Sequence, residues 1–326
     1  MKQTIRFYLI IFASLIVLLF LLPRLLPGGP LDFILGRGDG PTMTAAQQAK
    51  LMSYYNLDKS IWQQFLIYLR HLVQFKFGVS YLYQQPVIQL ILTRLPYTLA
   101  VVGISIFFSF FIGVLLGLFV ADKKETLRSK GIFIGMLTLS SLPEYLIGLL
   151  LVIPFCILLK WLPMSGAQTS FLENASIWSQ IKDRLIHGIL PVLALTLANV
   201  PSIFLIVRNQ AREILKQPYI EFAEMKGLKH HRIIYRHVFR NILLPIFTLM
   251  MQRIAIILTG AIFVETLFSY PGIGLLLQES ILSRDYPLMQ GLFLIFALVI
   301  LSINLLTDLY YPKLDPRIGG KNVEKI

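Results

Sequence analysis

The chain has 326 residues, 56% of them hydrophobic and 14% charged, and carries a formal net charge of +13. That composition excludes a soluble globular domain, and several uncharged runs reach the roughly 18–20 apolar residues needed to cross a bilayer. The positive charge lies in short loops between apolar runs, not in a basic patch interleaved with aromatics, which marks membrane orientation and excludes nucleic acid as a partner.

Lys2 and Arg6 precede an apolar run at 7–22 that has the outline of a signal peptide. The run gives way to Pro23-Arg24-Leu25-Leu26-Pro27-Gly28-Gly29-Pro30, with no small-residue cleavage site, so residues 1–30 are read as a retained first transmembrane helix and its exit. Residues 31–93 form an extracytoplasmic segment. Within it Thr44 is a candidate N-cap for a helix through Tyr55, and Ser60 for another through Phe75. Trp62, Phe65, Tyr68, Leu69 and Leu72 recur at helical spacing, a face suited to lying on the bilayer or packing against the spans.

Residues 94–311 are expected to hold a core of five further transmembrane helices. The uncharged run 97–120 carries Gly113 and Gly117 in a small-xxx-small arrangement that permits close helix approach. A charged loop at 122–130 faces the cytoplasm, and 132–159 spans back, kinked by Pro143 and Pro154. After an outer segment at 160–187, the fourth span at 188–207 ends on Arg208, placed to snorkel to the interface. A cytoplasmic loop at 208–241 leads to the fifth span at 242–264, the sixth at 288–309, and a cytoplasmic tail at 312–326. Of the 30 Lys and Arg residues, 18 fall in the four segments assigned inside, so both termini are expected in the cytoplasm.

The 217–245 stretch, QPYIEFAEMKGLKHHRIIYRHVFRNILLP, combines an amphipathic helix pattern, a central glycine and a cluster of charge. Pro218 suits the first turn of a helix, where its missing N–H costs nothing. Tyr219, Ile220, Phe222, Ala223 and Met225 then alternate with Glu221, Glu224 and Lys226. Gly227 is placed to close that helix in a left-handed cap, and a second helix starts near Lys229 and runs through Arg232, Arg236 and Arg240. The spacing predicts a rigid helix–glycine–helix elbow on a membrane face.

Ala223, Gly227, Ile234, His237, Arg240, Asn241 and Pro245, at their spacing, resemble the EAA loop of ATP-binding-cassette importer permeases, in the variant of the dipeptide/oligopeptide/nickel branch. Further stretches are similar to that branch: Phe77-Gly78-Val79-Ser80, Arg94-Leu95-Pro96-Tyr97-Thr98-Leu99, Ser141-Leu142-Pro143-Glu144-Tyr145 and Trp161-Leu162-Pro163-Met164-Ser165-Gly166. The same holds for Val264-Glu265-Thr266-Leu267-Phe268, Tyr270-Pro271-Gly272-Ile273-Gly274, Arg284-Asp285-Tyr286-Pro287 and Leu314-Asp315-Pro316-Arg317. Gly29 departs from the pattern where an aspartate is usual. The resemblance implies an all-α membrane protein with six transmembrane helices, the type I importer fold, in a bacterial cell membrane. It implies that the elbow is the coupling helix docking on a cytoplasmic ATPase, with Tyr219, Ala223, Glu224, Met225, Gly227, Leu228 and Lys229 at or near that contact. The implied partners are a similar but non-identical permease, two ATPase subunits and an extracytoplasmic substrate-binding protein. The implied cargo is a di- or oligopeptide or a small metal chelate such as nickel.

No G-x-x-x-x-G-K-[ST] phosphate loop and no nucleophile–histidine–carboxylate set occurs, so the chain is expected to be no enzyme, to hold no cofactor, and to leave ATP and Mg to partner subunits. Cys156 is the one cysteine, and the five histidines lack metal-ligand spacing, so no disulfide framework or metal site is expected. Charges inside spans are costly and call for a reason. Arg253 lies near the middle of the fifth span, where the branch is more often neutral, and is a pore-lining cation, the partner of Glu144 or Glu265, or a snorkelling side chain. Glu265 is open to a gating or a structural role, and Asn199 and Asn304 are expected to bond between helices. A stand-alone secondary transporter or channel is the competing reading, for which matching inverted repeats are not seen in the sequence.

Overall fold

A computed structural model describes residues 2–25, 50, 52–53, 57–74, 76–121, 126–169 and 176–314. Most of the expected Thr44-capped helix, its cap included, residues 122–125 of the charged loop and residues 315–326 of the tail lie outside the described residues. In chain order the helices are α1 Lys2–Leu25, α2 Ile61–Val73, α3 Val87–Ala121, α4 Leu127–Ser140, α5 Glu144–Val152, α6 Ile177–Leu215, α7 Pro218–Met225, α8 Phe239–Leu267, α9 Ile273–Leu282 and α10 Tyr286–Leu314. Short π-helices, Ile153–Leu158 and Ile233–Val238, adjoin α5 and α8.

Five of the six expected spans fall on one helix each, and the third on a bent pair. Arg6–Leu25, Val87–Ala121, Ile177–Leu215 and Tyr286–Leu309 are long and apolar enough to cross a membrane one by one. The third span is a pair, Leu127–Ser140 and Glu144–Leu158, bent by 106° at the break. Pro143 is the cause: it lacks an N–H, drives the residue before it out of the helical region, and sits extended as the N-cap of α5. The kink expected there is therefore a full break. The 29-residue α8 takes the place of the fifth span.

The chain divides into two compact units, Met1–Pro96 with Gly272–Leu301 and Tyr97–Pro271 with Ser302–Ile326. In the first, Ser60 caps α2 by a capping box: its hydroxyl accepts from the Gln63 N–H while the Gln63 side chain accepts from the Ser60 N–H. The inner face of α2 meets α1, with Phe65 and Tyr68 ring centroids 5.0 and 5.6 Å from that of Phe20. Trp62 points away and is exposed. A turn comes next, closed by an isolated bridge between Val79 and Pro86 and opened by Gly78 at φ +81°.

Asp285 ties that turn to α10. Its Oδ2 accepts from the Ser80 hydroxyl at 2.5 Å and from the Leu82 N–H at 3.0 Å, and its Oδ1 accepts from the Leu288 N–H at 3.1 Å. The last bond makes Asp285 the N-cap of α10, which is what the Arg-Asp-x-Pro pattern encodes. Burial pushes the Asp285 carboxyl up from its ordinary value, and these donors act the other way.

In the second unit α6 is the hub, packed by α3, α4, α5 and α8. Gly113 and Gly117 do what their spacing predicts. A Cβ on Gly113 would come within 2.8 Å of Ile203, and one on Gly117 within 2.8 Å of Val207. The hydroxyls of Ser105 and Ser109 cross to the Val192 and Thr196 carbonyls of α6 at 3.2 and 3.3 Å. α5 meets α8 in the same manner: a Cβ on Gly148 would lie 2.6 Å from Leu267. Asn199 bonds its own helix, donating to the Leu195 carbonyl at 2.8 Å, and not across to a neighbour as expected. Arg208 stacks on Phe133 of α4, 4.2 Å from the ring centroid, which fixes the residue expected to snorkel.

This packing has two measurable outcomes. Gly117→Leu overpacks the α3–α6 seam and is expected to cost about 1–3 kcal/mol, seen as a lower unfolding temperature of the purified protein, whereas Gly103→Leu, which meets nothing within 4 Å, leaves it unchanged. Asp285→Ala strands buried donors at about 1–3 kcal/mol each and is expected to lower the unfolding temperature more than Ser80→Ala does.

Candidate functional site

Only Lys216 and Gln217 separate the end of α6 from α7, and Gln217 N–H donates to the Ile214 carbonyl at 3.0 Å. Pro218 occupies the first helical position of α7, as its sequence placement predicts, and Glu221 lies in the first turn, favourable to the helix dipole. The helix ends in a Schellman motif. Leu228 N–H reaches back to the Ala223 carbonyl at 3.3 Å and Gly227 N–H to the Glu224 carbonyl at 2.9 Å, with Gly227 at φ +74°. A Cβ on Gly227 would touch nothing within 4 Å, so glycine is needed there for its backbone alone.

The second arm starts with the single turn His230–Arg232, capped by Lys229, and passes through the π-helix Ile233–Val238 into α8. The uninterrupted helix expected from Lys229 onward thus contains a π segment. Ile220 of α7 is buried in one cluster with Ala211 and Leu215 of α6 and with Ile233 and Val238. Asn241 at the start of α8 donates to the Tyr219 hydroxyl at 3.1 Å and to the His237 carbonyl at 2.7 Å, clasping the two arms.

One face of α7 is held and the other is bare. Ile220 and Ala223 are 0% and 6% exposed, whereas Tyr219, Phe222 and Met225 are 44%, 59% and 80% exposed. Of the residues assigned to the elbow contact from sequence, Met225, Gly227 and Lys229 are exposed, Glu224 and Leu228 half-buried, and Ala223 faces inward. Phe222 was not among them, although its i, i+3 spacing to Tyr219 and Met225 is legible; Lys226 lies over its ring, 4.6 Å from the centroid. Arg232, Arg236 and Arg240 are exposed.

The three charges singled out from the sequence, Arg253, Glu144 and Glu265, separate into two settings. Glu265 is fully buried and accepts from the Thr98 hydroxyl at 2.5 Å, so it is not left to Arg253. Glu144, in the first turn of α5, is the group on which the Arg253 charge acts, yet no ion pair joins them. Both are partly exposed. Thr98 could not be found from the sequence as the partner of Glu265, since nothing local links residues 167 apart.

A family model described as binding-protein-dependent transport system inner membrane component matches residues 113–320, which include the whole elbow. The oligopeptide transport system permease protein AppB of Bacillus subtilis is 31% identical over 94% of this chain and 95% of its own length. The di/tripeptide transport system permease protein DppB of Pseudomonas aeruginosa is 32% identical over 94% of each chain, as is a putative peptide permease protein of Brucella ovis. Among solved structures, the MetNI methionine ABC transporter in inward-facing conformations superposes with a TM-score of 0.56 at 14% identity, covering 70% of this chain and 97% of that one. That likeness is one of fold. With a family model across most of the chain and relatives matched end to end, the chain belongs to the inner membrane components of binding-protein-dependent transport systems.

Proposed function

We propose that the chain forms half of the translocation pathway of an ATP-driven importer of peptides, and that the α7 elbow receives the stroke of a cytoplasmic ATPase. The observation that carries this is the two-faced elbow: an inner face buried with the end of α6 and an outer face of Tyr219, Phe222 and Met225 left bare. An aromatic and methionine ridge suits an apolar groove on a partner, and the flanking Lys226, Lys229 and Arg232 suit an acidic rim. Because two residues join α7 to α6 and Asn241 clasps α7 to α8, displacement of the elbow is delivered to two spans at once. ATP and Mg belong on the partner, whose closure supplies the energy. The elbow face, and with it both termini, is then cytoplasmic.

Peptide is favoured over a nickel chelate as cargo because the relatives matched over nearly their whole length are named for oligopeptides and di- or tripeptides. Arg253 and Glu144, close enough for the arginine charge to act on the carboxylate but not joined in an ion pair, fit the carboxylate and ammonium of a short peptide. A second, similar permease completes the pathway, and an extracytoplasmic binding protein delivers the cargo.

Co-purification from native membranes tests the coupling reading. The wild-type chain is expected to bring down an ATPase, and Phe222→Glu with Met225→Glu to lose it while still inserting and folding. Gly227→Ala forces an L-residue into the left-handed region at about 1–2 kcal/mol and is expected to weaken the association without abolishing it. A wild-type chain that moves solute in liposomes with no ATPase bound would instead be a stand-alone transporter. For the cargo, Arg253→Gln is expected to reduce dipeptide uptake at least about tenfold, the loss of one charge-assisted bond, with ATPase activity retained. Restoration of uptake by the swapped pair Arg253→Glu with Glu144→Arg would show instead that the two charges serve only each other.

A further inference from the structure

The unit made of Met1–Pro96 and Gly272–Leu301 contains a cavity of about 260 Å³ that the transport reading does not use. The last turn of α1, the inner face of α2, residues 76–81 and the first turns of α10 build its wall. Arg24, His71 and Lys76 line it, and among the described residues no Asp or Glu does, so every described charge facing it is positive or can become so. Two further polar groups in the wall, the Tyr68 hydroxyl and the Gln290 Nε2, are buried with no hydrogen-bond partner. Both can donate. Burial pushes Tyr68 up to about 12, the nearby Arg24 charge opposing, so its hydroxyl keeps its proton at any physiological pH.

Arg24 is held in place without being used up. Its guanidinium lies 3.7 Å from the Phe20 ring centroid and donates to the Phe20 carbonyl at 2.7 Å and to Gln64 Oε1 at 2.8 Å. A guanidinium has five N–H donors, and these bonds to described residues engage two of them. A cation and two unpartnered donors facing one cavity, with no carboxylate among its described lining residues, mark a site for an anion, since unmet buried donors are rare in folded proteins.

The location selects which anion. Arg24 ends the apolar helix Arg6–Leu25, and Tyr286 and Gln290 begin the apolar helix Tyr286–Leu309, so the cavity sits where two membrane-crossing helices terminate. Beside it, α2 exposes Ile61, Trp62, Leu66 and Val73, and tryptophan with aliphatic residues on one short helix is the composition of an interfacial element. Leu57, Leu72 and Leu294 supply an apolar wall next to the cations.

We propose that this cavity binds the headgroup phosphate of an anionic membrane lipid, with Arg24 as the countercharge and Tyr68 and Gln290 as donors. The absence of a carboxylate among the described lining residues favours an anionic headgroup over a zwitterionic one, whose ammonium would find no partner among them. The bound lipid fastens α1 and α2 to the start of α10.

The test measures the unfolding temperature of the intact transporter in mild detergent with added dioleoylphosphatidylglycerol, dioleoylphosphatidylcholine or inorganic phosphate. Phosphatidylglycerol is expected to raise it by several degrees more than phosphatidylcholine, and inorganic phosphate to leave it unchanged. Tyr68→Phe and Gln290→Leu, which remove donors that have no other partner, are expected to fold as wild type and to lose most of the phosphatidylglycerol-specific rise. Arg24→Gln is expected to lose all of it; should that variant fail to accumulate, the other two decide. Equal shifts from both lipids, or a phosphatidylglycerol shift undiminished in Tyr68→Phe and Gln290→Leu, would overturn the site. A shift reproduced by inorganic phosphate would overturn the lipid as its occupant.

Discussion

Between helices in a bilayer there is no gain from hiding apolar surface, because the lipid is as apolar as the side chains; what remains is contact density. The second unit depends on that constraint. Gly113, Gly117 and Gly148 remove the side chains that would hold α3 from α6 and α5 from α8. With the backbones that close, the hydroxyls of Ser105 and Ser109 reach carbonyls of the neighbouring helix that a wider seam would put out of range. The rest of this unit is arranged around α6, including the elbow, whose buried face is continuous with its last turns.

The buried carboxylates show how an acidic group is kept inside such a structure. Asp285 is surrounded by donors from the turn it fastens and from the helix it caps. Glu265 receives the Thr98 hydroxyl from another helix. Glu144 and Arg253 are different: each is partly exposed, neither is clasped, and their mutual field is what remains.

Much of this was legible in the sequence, and the reasons are local. Pro218 at a first turn and Gly227 at a cap identify the elbow because each residue fits few backbone states. Apolar runs locate the spans because backbone groups in lipid must bond within their own helix. Ser60 announced α2 as an N-cap, and the structure adds the capping box with Gln63. The features that escaped depend on distant residues or on degree. Pro143 reads as a kink, and the sequence alone does not give the size of the bend, which is 106°. The Thr98–Glu265 bond and the action of the Arg253 charge on Glu144 join elements far apart in the chain. The inward placement of Ala223 is a matter of helix phase, which a short eight-residue pattern leaves open.

The π segment between the elbow and α8 is a device of phase. Phe239 N–H reaches back five residues to Ile234, so Ile233 and Val238, five apart, share one buried face. Each residue of an α-helix turns the chain by about 100°. One residue taken up in the wider turn therefore offsets the elbow by about that angle from where a continuous helix would aim it. The direction in which Phe222 and Met225 look out is thus set in part by a residue count at 233–238, together with the Asn241–Tyr219 clasp. Shortening that stretch by one residue would turn the ridge by about 100° relative to α8.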